Sequence, residues 1–194
     1  YLLAAWIAGV VLLSARLLLS LLGVQWLKQG RCDVGGELAA AARTLARRLG
    51  LRLIPRLYAC ERVCESVAVG LIWPAILLPA SWLAEMPPRV LEAVLAHELA
   101  HIRRWDLWVN LLQRVVETLL FYHPAVWWVS RRLCLEREMC CDELAVAATG
   151  QRVGYVTVLE LVGRKRLAAT QPEFGAAIGG SKMALLSRVR NVLG

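Results

Sequence analysis

The pentapeptide His97-Glu98-Leu99-Ala100-His101 contains two of the chain's three histidines. Residues four apart lie on the same face of an α-helix, so both imidazoles can point at one metal ion. Glu98 follows His97 directly and can reach a water molecule at that ion without binding the ion itself. This is the H-E-x-x-H arrangement of zinc hydrolases, in which the glutamate is the general base. The string alone is only moderately specific, so its surroundings must decide.

A catalytic zinc ion takes three protein ligands and keeps one position open. We look for the third ligand in residues 136–143, EREMCCDE, on a predicted helix. Glu138 shares its helix face with small, largely apolar residues, where a buried carboxylate would need a partner. Glu136 shares its side with charged residues, so Glu138 is the better candidate. Asp142, one turn further on, can accept a hydrogen bond from a ligand histidine and fix its tautomer.

Two alternatives stay open for this third position. Residues 136–143 also fit a plain, solvated acidic helix face, which is the usual role of an acidic run. His123 is the remaining histidine, but it precedes Pro124 at a break between two predicted helices. We therefore expect His123 to be a cap or junction residue, and we expect zinc as the cofactor.

The N-terminal stretch is apolar enough to enter a membrane. Residues 2–24, LLAAWIAGVVLLSARLLLSLLGV, exceed the 20 or so residues that a bilayer requires. Arg16, their one charged residue, would reach the headgroups or face a partner helix. Arginines crowd the chain after this span, so the positive-inside tendency places the rest in the cytoplasm. A signal peptide is less favoured, because no basic start or cleavage site is evident. We assign residues 1–27 to a transmembrane helix.

The composition supports a lipid environment. Hydrophobic residues make up 58% of the chain, and the net charge is +8. A basic balance fits nucleic acid, anionic lipid or the cytoplasmic loops of a membrane protein. No nucleic-acid motif is recognisable, so we expect no direct nucleic-acid partner. Six of the eight tryptophans lie in apolar segments, as in proteins at membrane interfaces: Trp73, Trp82, Trp105, Trp108, Trp127 and Trp128.

The cysteines and the first residue give two smaller expectations. The six cysteines form no C-x-x-C pair and no disulfide framework, so we expect reduced thiols in a cytoplasmic compartment. Because the chain begins with Tyr1 rather than Met, we expect it to be a piece of a longer protein.

Residues 28–165 predict one folded domain, mainly α with a small β-sheet, of the α+β class. Its β region covers residues 51–80, with strands at 56–60, 66–73 and 75–79. We treat residues 166–194 as a C-terminal, glycine-containing tail. The predicted helices are 37–49, the zinc helix 88–104, one that begins at Asp106, the third-ligand helix 124–148, and 155–167.

The helix that begins at Asp106 carries a stripe of polar residues on an otherwise apolar cylinder. It is too polar for a lone helix surrounded by lipid. It fits a helix packed against the membrane or against neighbouring helices. The polar residues are Asp106, Asn110, Gln113, Arg114 and Glu117.

Four segments and the apolar first helix are similar to one known family in sequence and in order: VGLIWPAILLP from Val69, HELAHIRR from His97, FYHPAVWW from Phe121 and EREMCCD from Glu136. They resemble the BlaR/MecR-type integral-membrane zinc metalloproteases, sensor-transducers that respond to β-lactam antibiotics in bacteria. The resemblance covers about residues 1–165. HtpX-type membrane proteases are similar in placing an E-x-x-x-D pattern after the H-E-x-x-H helix.

The resemblance implies a membrane-embedded, gluzincin-like zinc metalloprotease domain over residues 28–165. It implies His97, His101 and Glu138 as the zinc ligands. It implies Glu98 as the general base. It also implies that Asp142 accepts a hydrogen bond from a ligand histidine without binding the metal itself.

The implied protein is a zinc endopeptidase of a bacterial signalling pathway linked to antibiotic resistance. It would lie in the cytoplasmic (inner) membrane with its active site on the cytoplasmic side. Its partners would be the lipid bilayer and a protein or peptide substrate, namely a transcriptional repressor, the protein itself, or both; a homodimer is a further expectation. An extended substrate would pair with an exposed edge strand, and residues 66–73 are the best candidate.

One alternative is a non-catalytic membrane signalling module that retains a structural zinc site. The intact set of His97, Glu98, His101 and Glu138 argues against it.

Overall fold

The computed structural model describes residues 1–27, 31–169 and 185–193. These residues form a mainly helical fold with a small sheet, which confirms the predicted fold class. In chain order the elements are α1 (Leu2–Leu27), β1 (Arg31–Asp33), α2 (Gly36–Arg48), β2 (Arg56–Cys60), β3 (Val67–Val69), β4 (Ala75–Pro79), α3 (Ala80–Glu85), α4 (Pro88–Arg103), α5 (Asp106–Leu119), α6 (Pro124–Thr149), α7 (Arg152–Ala169) and α8 (185–193).

The four described strands form one mixed sheet in the order β1-β2-β4-β3. β2 and β4 run parallel, while β1 and β3 are antiparallel to their neighbours. All five residues of β4 are buried, as expected for an unbroken apolar strand covered on both faces. β3 is an edge strand of the described sheet. It is shorter than the predicted strand 66–73, because Gly70 takes a left-handed φ of 93° and ends the extended backbone.

Helix α4, which carries the pentapeptide, lies at the centre of the fold. It begins at Pro88, since proline fits the first helical turn. Its apolar residues face α2, α6 and α7, and Leu95 and Leu99 are fully buried. The histidines therefore sit on a helix that the hydrophobic core holds in place.

Helix α6 is 26 residues long, about 39 Å at the usual helical rise. Its first half packs against α5, and its second half packs against α4. His123 precedes it, and the His123 ring accepts a hydrogen bond from the Ala125 N–H at 3.2 Å. The expectation that His123 caps a helix is thereby confirmed. Gly150, with a left-handed φ of 71°, ends the helix as a C-terminal glycine commonly does.

Two parts of the chain flank this core. Among the described residues, one helix is long and apolar enough to cross a membrane, and that segment is Leu2–Gly23 of α1. At the other end, residues 185–193 form α8, whose Val192 is buried in the main core cluster. The predicted tail 166–194 thus includes a helix that packs on the domain; its residues 170–184 and 194 lie outside the described residues.

Candidate metal centre

Helices α4 and α6 bring His97, His101 and Glu138 together. The two Nε2 atoms are 3.2 Å apart, and each lies 3.5 Å from a Glu138 carboxylate oxygen. Ligands about 2.1 Å from a tetrahedral zinc ion are about 3.4 Å from one another. Two imidazole nitrogens that face each other this closely need a proton or a cation between them. The donor set therefore fits a zinc ion.

The other nitrogen of each histidine is held by a carboxylate, as is usual for metal-binding imidazoles. For His97 this partner is Asp142, whose Oδ1 is 3.0 Å from Nδ1. Asp142 is fully buried, and its Oδ1 accepts a further hydrogen bond of 2.8 Å from the Tyr155 hydroxyl. With Nδ1 engaged in this way, Nε2 of His97 is the nitrogen that faces the metal position.

Asp106 holds the ring of His101 as Asp142 holds that of His97. Oδ2 of Asp106 is 2.9 Å from Nδ1 of His101. Sequence reasoning placed Asp106 only in the polar stripe of α5. The contact depends on the tight turn between α4 and α5, in which Trp105 takes a left-handed φ of 61°. Such a conformation is uncommon for a residue other than glycine, so nothing in the sequence indicated it.

A second group of potential metal donors, His101, Asp106 and Cys141, adjoins the first and shares His101 with it. The Cys141 thiol lies 3.3 Å from both the Asp106 carboxylate and Nδ1 of His101. Burial and the negative charge of Asp106 raise the pKa of Cys141 well above its usual range. The Cys141 thiol is a hydrogen-bond donor to Asp106 in this arrangement.

Arg188 of α8 is a second residue of the centre that sequence reasoning missed. Its guanidinium donates two hydrogen bonds of 2.7 Å to Asp142 and lies 3.1 Å from Oε2 of Glu138. Arg188 lies in the glycine-containing stretch 166–194 predicted as a tail, 46 residues from Asp142, and no local pattern links the two. The described part of α8 thus reaches the centre of the predicted site.

Burial penalises the charged forms of these groups, but their mutual contacts outweigh it. Hydrogen bonds with Asp142 and Glu138 raise the pKa of His97 to about 9. The hydrogen bond and charge of His97, together with the charge of Arg188, lower the pKa of Glu138 to about 2. Arg188 and His97 also hold the pKa of Asp142 well below its usual range. At neutral pH both carboxylates are therefore ionised, and His97 carries a proton that a bound metal cation would displace.

Glu98 is buried, and its carboxylate points toward the edge strand β3 and not toward Asp106 or Asp142. Its Oε1 accepts a hydrogen bond of 2.8 Å from the Ser66 hydroxyl, and its Oε2 accepts one of 3.0 Å from the Ala68 N–H of β3. These two donors fix the carboxylate in one orientation beside His97. The edge strand and the predicted base are thus in direct contact.

Glu136 was the less favoured ligand candidate, and it lies outside the centre. Its carboxylate pairs with Arg132 one turn earlier, at 2.7 Å, and is about half exposed. The acidic residues of the segment 136–143 therefore face different surroundings. Glu136 faces solvent, whereas Glu138 and Asp142 face α4.

Comparison with known proteins relates this geometry to one family. The family described as BlaR1 peptidase M56 matches residues 1–192. The chain is also 26% identical over 140 residues to Regulatory protein BlaR1 of Bacillus licheniformis. That match covers 72% of this chain and 23% of the relative, so the chain spans about a quarter of the relative's length.

Proposed function

Because the chain belongs to the BlaR1 peptidase M56 family, we propose that it is the catalytic part of a membrane-bound zinc endopeptidase in bacterial signalling. The observation that carries the proposal is the donor set of His97, His101 and Glu138, with neighbouring donors 3.2–3.5 Å apart. Two histidines and one glutamate form a known ligand set of catalytic zinc, which leaves a fourth position open. A structural zinc site would fill all four positions with protein ligands.

Each residue of the centre then has a defined task. His97, His101 and Glu138 hold the ion. Bound zinc supplies Lewis acidity, which acidifies a water molecule and polarises a peptide carbonyl. Glu98 accepts the proton of the attacking water and delivers it to the leaving amine. Ser66 keeps the Glu98 carboxylate oriented for both transfers.

The edge strand β3 offers a way to bind an extended peptide. In a strand, the N–H and C=O of one residue point to the same edge. The Ala68 N–H points at Glu98, so this edge of β3 faces the base. A peptide that pairs with this edge on either side of Ala68, whose own N–H is bound to Glu98, would run past the base, with main-chain hydrogen bonds supplying affinity for many sequences.

The physiological substrate in this proposal is a cytoplasmic protein, either a transcriptional repressor or another copy of the protein itself. The name of the relative, a regulatory protein, supports a signalling role. The arginines that follow α1 support a cytoplasmic position for the centre.

The proposal is tested with the protein purified in detergent. Metal analysis should find about one zinc per chain, as a mononuclear site requires. Glu98→Gln should keep this zinc and lose cleavage of a denatured protein substrate, since the charge-neutral side chain cannot take a proton. A Glu98→Gln variant that still cleaves would remove the proposed base. A wild-type chain that binds zinc and cleaves no tested substrate, itself included, would favour the non-catalytic module.

A further inference from the structure

Helix α5 and the first half of α6 lie against each other as a helical hairpin, joined at residues 120–123. The outer surface of this hairpin is apolar and exposed. A continuous patch of this kind is unusual on a protein that is surrounded by water. Its most exposed large side chains include Trp108, Leu112, Leu119, Tyr122, Trp128 and Val129.

Three polar side chains of the hairpin lie buried between its two helices, whereas Asn110, Arg114 and His123 are exposed. Gln113 and Glu117 of α5 and Ser130 of α6 are all buried. The Gln113 amide donates a hydrogen bond to Glu117 at 3.1 Å, and the Ser130 hydroxyl donates another to the same carboxylate. A buried polar cluster beneath a mainly apolar outer surface is the reverse of the usual pattern of a helical hairpin in water. This is the arrangement expected where lipid surrounds the helices.

The hairpin also packs against α1, the helix that is apolar enough to cross a membrane. The Trp6 indole N–H donates a hydrogen bond of 3.1 Å to the Leu119 carbonyl oxygen. Gly9 lies so close to the Phe121 ring that a Cβ at this position would collide with it. The exposed surface of α1 and the apolar side of the hairpin are thus continuous.

Arg16, the one charged residue of the apolar N-terminal span, faces the hairpin. It lines a cavity of about 310 Å³ together with Ser20 of α1 and with Arg114 and Glu117 of α5. Arg114 and Glu117 form an ion pair across 2.7 Å. Charged residues at membrane depth usually face other helices in this way rather than the lipid. This favours the second of the two sequence-based expectations for Arg16.

The length of the hairpin decides how it can enter a bilayer. Helix α5 has 14 residues, about 21 Å, whereas the hydrocarbon core is about 30 Å thick. The hairpin is therefore too short to cross. On α6 the exposed pair Arg131 and Arg132 follows Pro124 by seven and eight residues, about 11 Å along the helix. Their guanidinium groups can extend toward the headgroups while the tip lies among the acyl chains.

We propose that residues 108–130 form a re-entrant hairpin whose tip enters the bilayer that α1 crosses, without passing through it. Lipid acyl chains cover its apolar face, and the exposed Arg131 and Arg132 extend toward the headgroups. Lipid is favoured over a protein partner because the face continues onto the apolar surface of α1. The exposed arginines beside it also suit anionic headgroups.

Photolabelling from within the bilayer tests this proposal on the unmodified chain. The protein is reconstituted into vesicles of phosphatidylcholine and phosphatidylglycerol that contain a lipid-soluble diazirine. After illumination, the labelled positions are mapped by peptide mass spectrometry. Label should appear in α1 and in residues 108–130, with α2 and β2 unlabelled as internal controls. A water-soluble diazirine should give the opposite pattern.

Two results would overturn the proposal. One is label in α1 with none in residues 108–130, which would place the hairpin outside the lipid. The other is label that enters residues 108–130 only when the protein is diluted in the lipid, which would mean that a second copy covers the face.

Discussion

Arg188 and Asp142 are joined by two hydrogen bonds of 2.7 Å, although 46 residues separate them in the chain. Asp142 in turn lies 3.0 Å from Nδ1 of His97. A side chain of α8 therefore reaches a predicted metal ligand through one carboxylate. The predicted metal centre therefore includes a contact from α8.

Replacing Arg188 by alanine should weaken zinc binding and lower stability. It would leave the buried carboxylates of Asp142 and Glu138 without their cation, and breaking a buried ion pair costs about 3–5 kcal/mol. Zinc titration and thermal unfolding of the purified protein measure the two effects. Arg190→Ala, at an exposed position of the same helix, is the matched control. Equal zinc affinity in both variants would contradict the role of Arg188.

Exchanging single carboxylates of α6 should distinguish the third ligand. Glu138→Gln should lose most of the bound zinc, because it removes both a donor oxygen and a negative charge. Glu136→Gln should keep it, because an exposed pair such as that of Glu136 with Arg132 is worth about 0–1 kcal/mol. Metal content after gel filtration is the measurement. If Glu138→Gln retains its zinc, another residue is the third ligand.

Asp106→Ala should lower zinc affinity by about 10–100-fold, the usual effect of removing a carboxylate that holds a ligand histidine. Its Oδ2 lies 2.9 Å from Nδ1 of His101, so the variant frees that ring to turn. Competition with a chelator of known affinity measures the change. Asp33→Ala, at an exposed strand position, controls for the loss of a negative charge. An unchanged affinity would show that the His101 ring does not depend on Asp106.

Ser66→Ala should slow peptide cleavage without releasing zinc. The variant removes the hydroxyl that donates to Glu98 at 2.8 Å, and the Ala68 N–H alone would then hold the base. Hydrogen bonds to charged groups contribute about 1.5–3 kcal/mol, so kcat should fall roughly 10–100-fold. Steady-state kinetics and metal content are measured together, with the exposed Ser81→Ala as control. Loss of zinc in Ser66→Ala would indicate a structural role for Ser66 instead.

The sequence predicted well those elements that carry their own local signals. Proline opens α4 and α6, and Gly150 closes α6, so the predicted helices 88–104 and 124–148 agree with Pro88–Arg103 and Pro124–Thr149. β1 was missed because its three residues show no alternation and become a strand only by pairing with β2.

At the site, too, the residues with a local sequence signal were predicted and those that depend on the tertiary fold were not. Glu138 and Asp142 were selected by helix face, which depends on residues one turn away. Asp106 depends on an unusual turn, and Arg188 depends on contacts between distant parts of the chain. Helical periodicity carries no information about either, so only the folded structure could bring them to the site.

The continuity of α6 gives the molecule a mechanical property. One unbroken helix carries the hairpin tip at Pro124 and, about 21 Å further on, Glu138. If this segment of α6, about 21 Å long, turned by about 5° about Pro124, Glu138 would move by about 2 Å. That shift is more than half of the 3.2–3.5 Å that separates the donor atoms of His97, His101 and Glu138. If the hairpin lies in the bilayer as proposed, a force that tilts it would reach the predicted metal centre along one continuous helix.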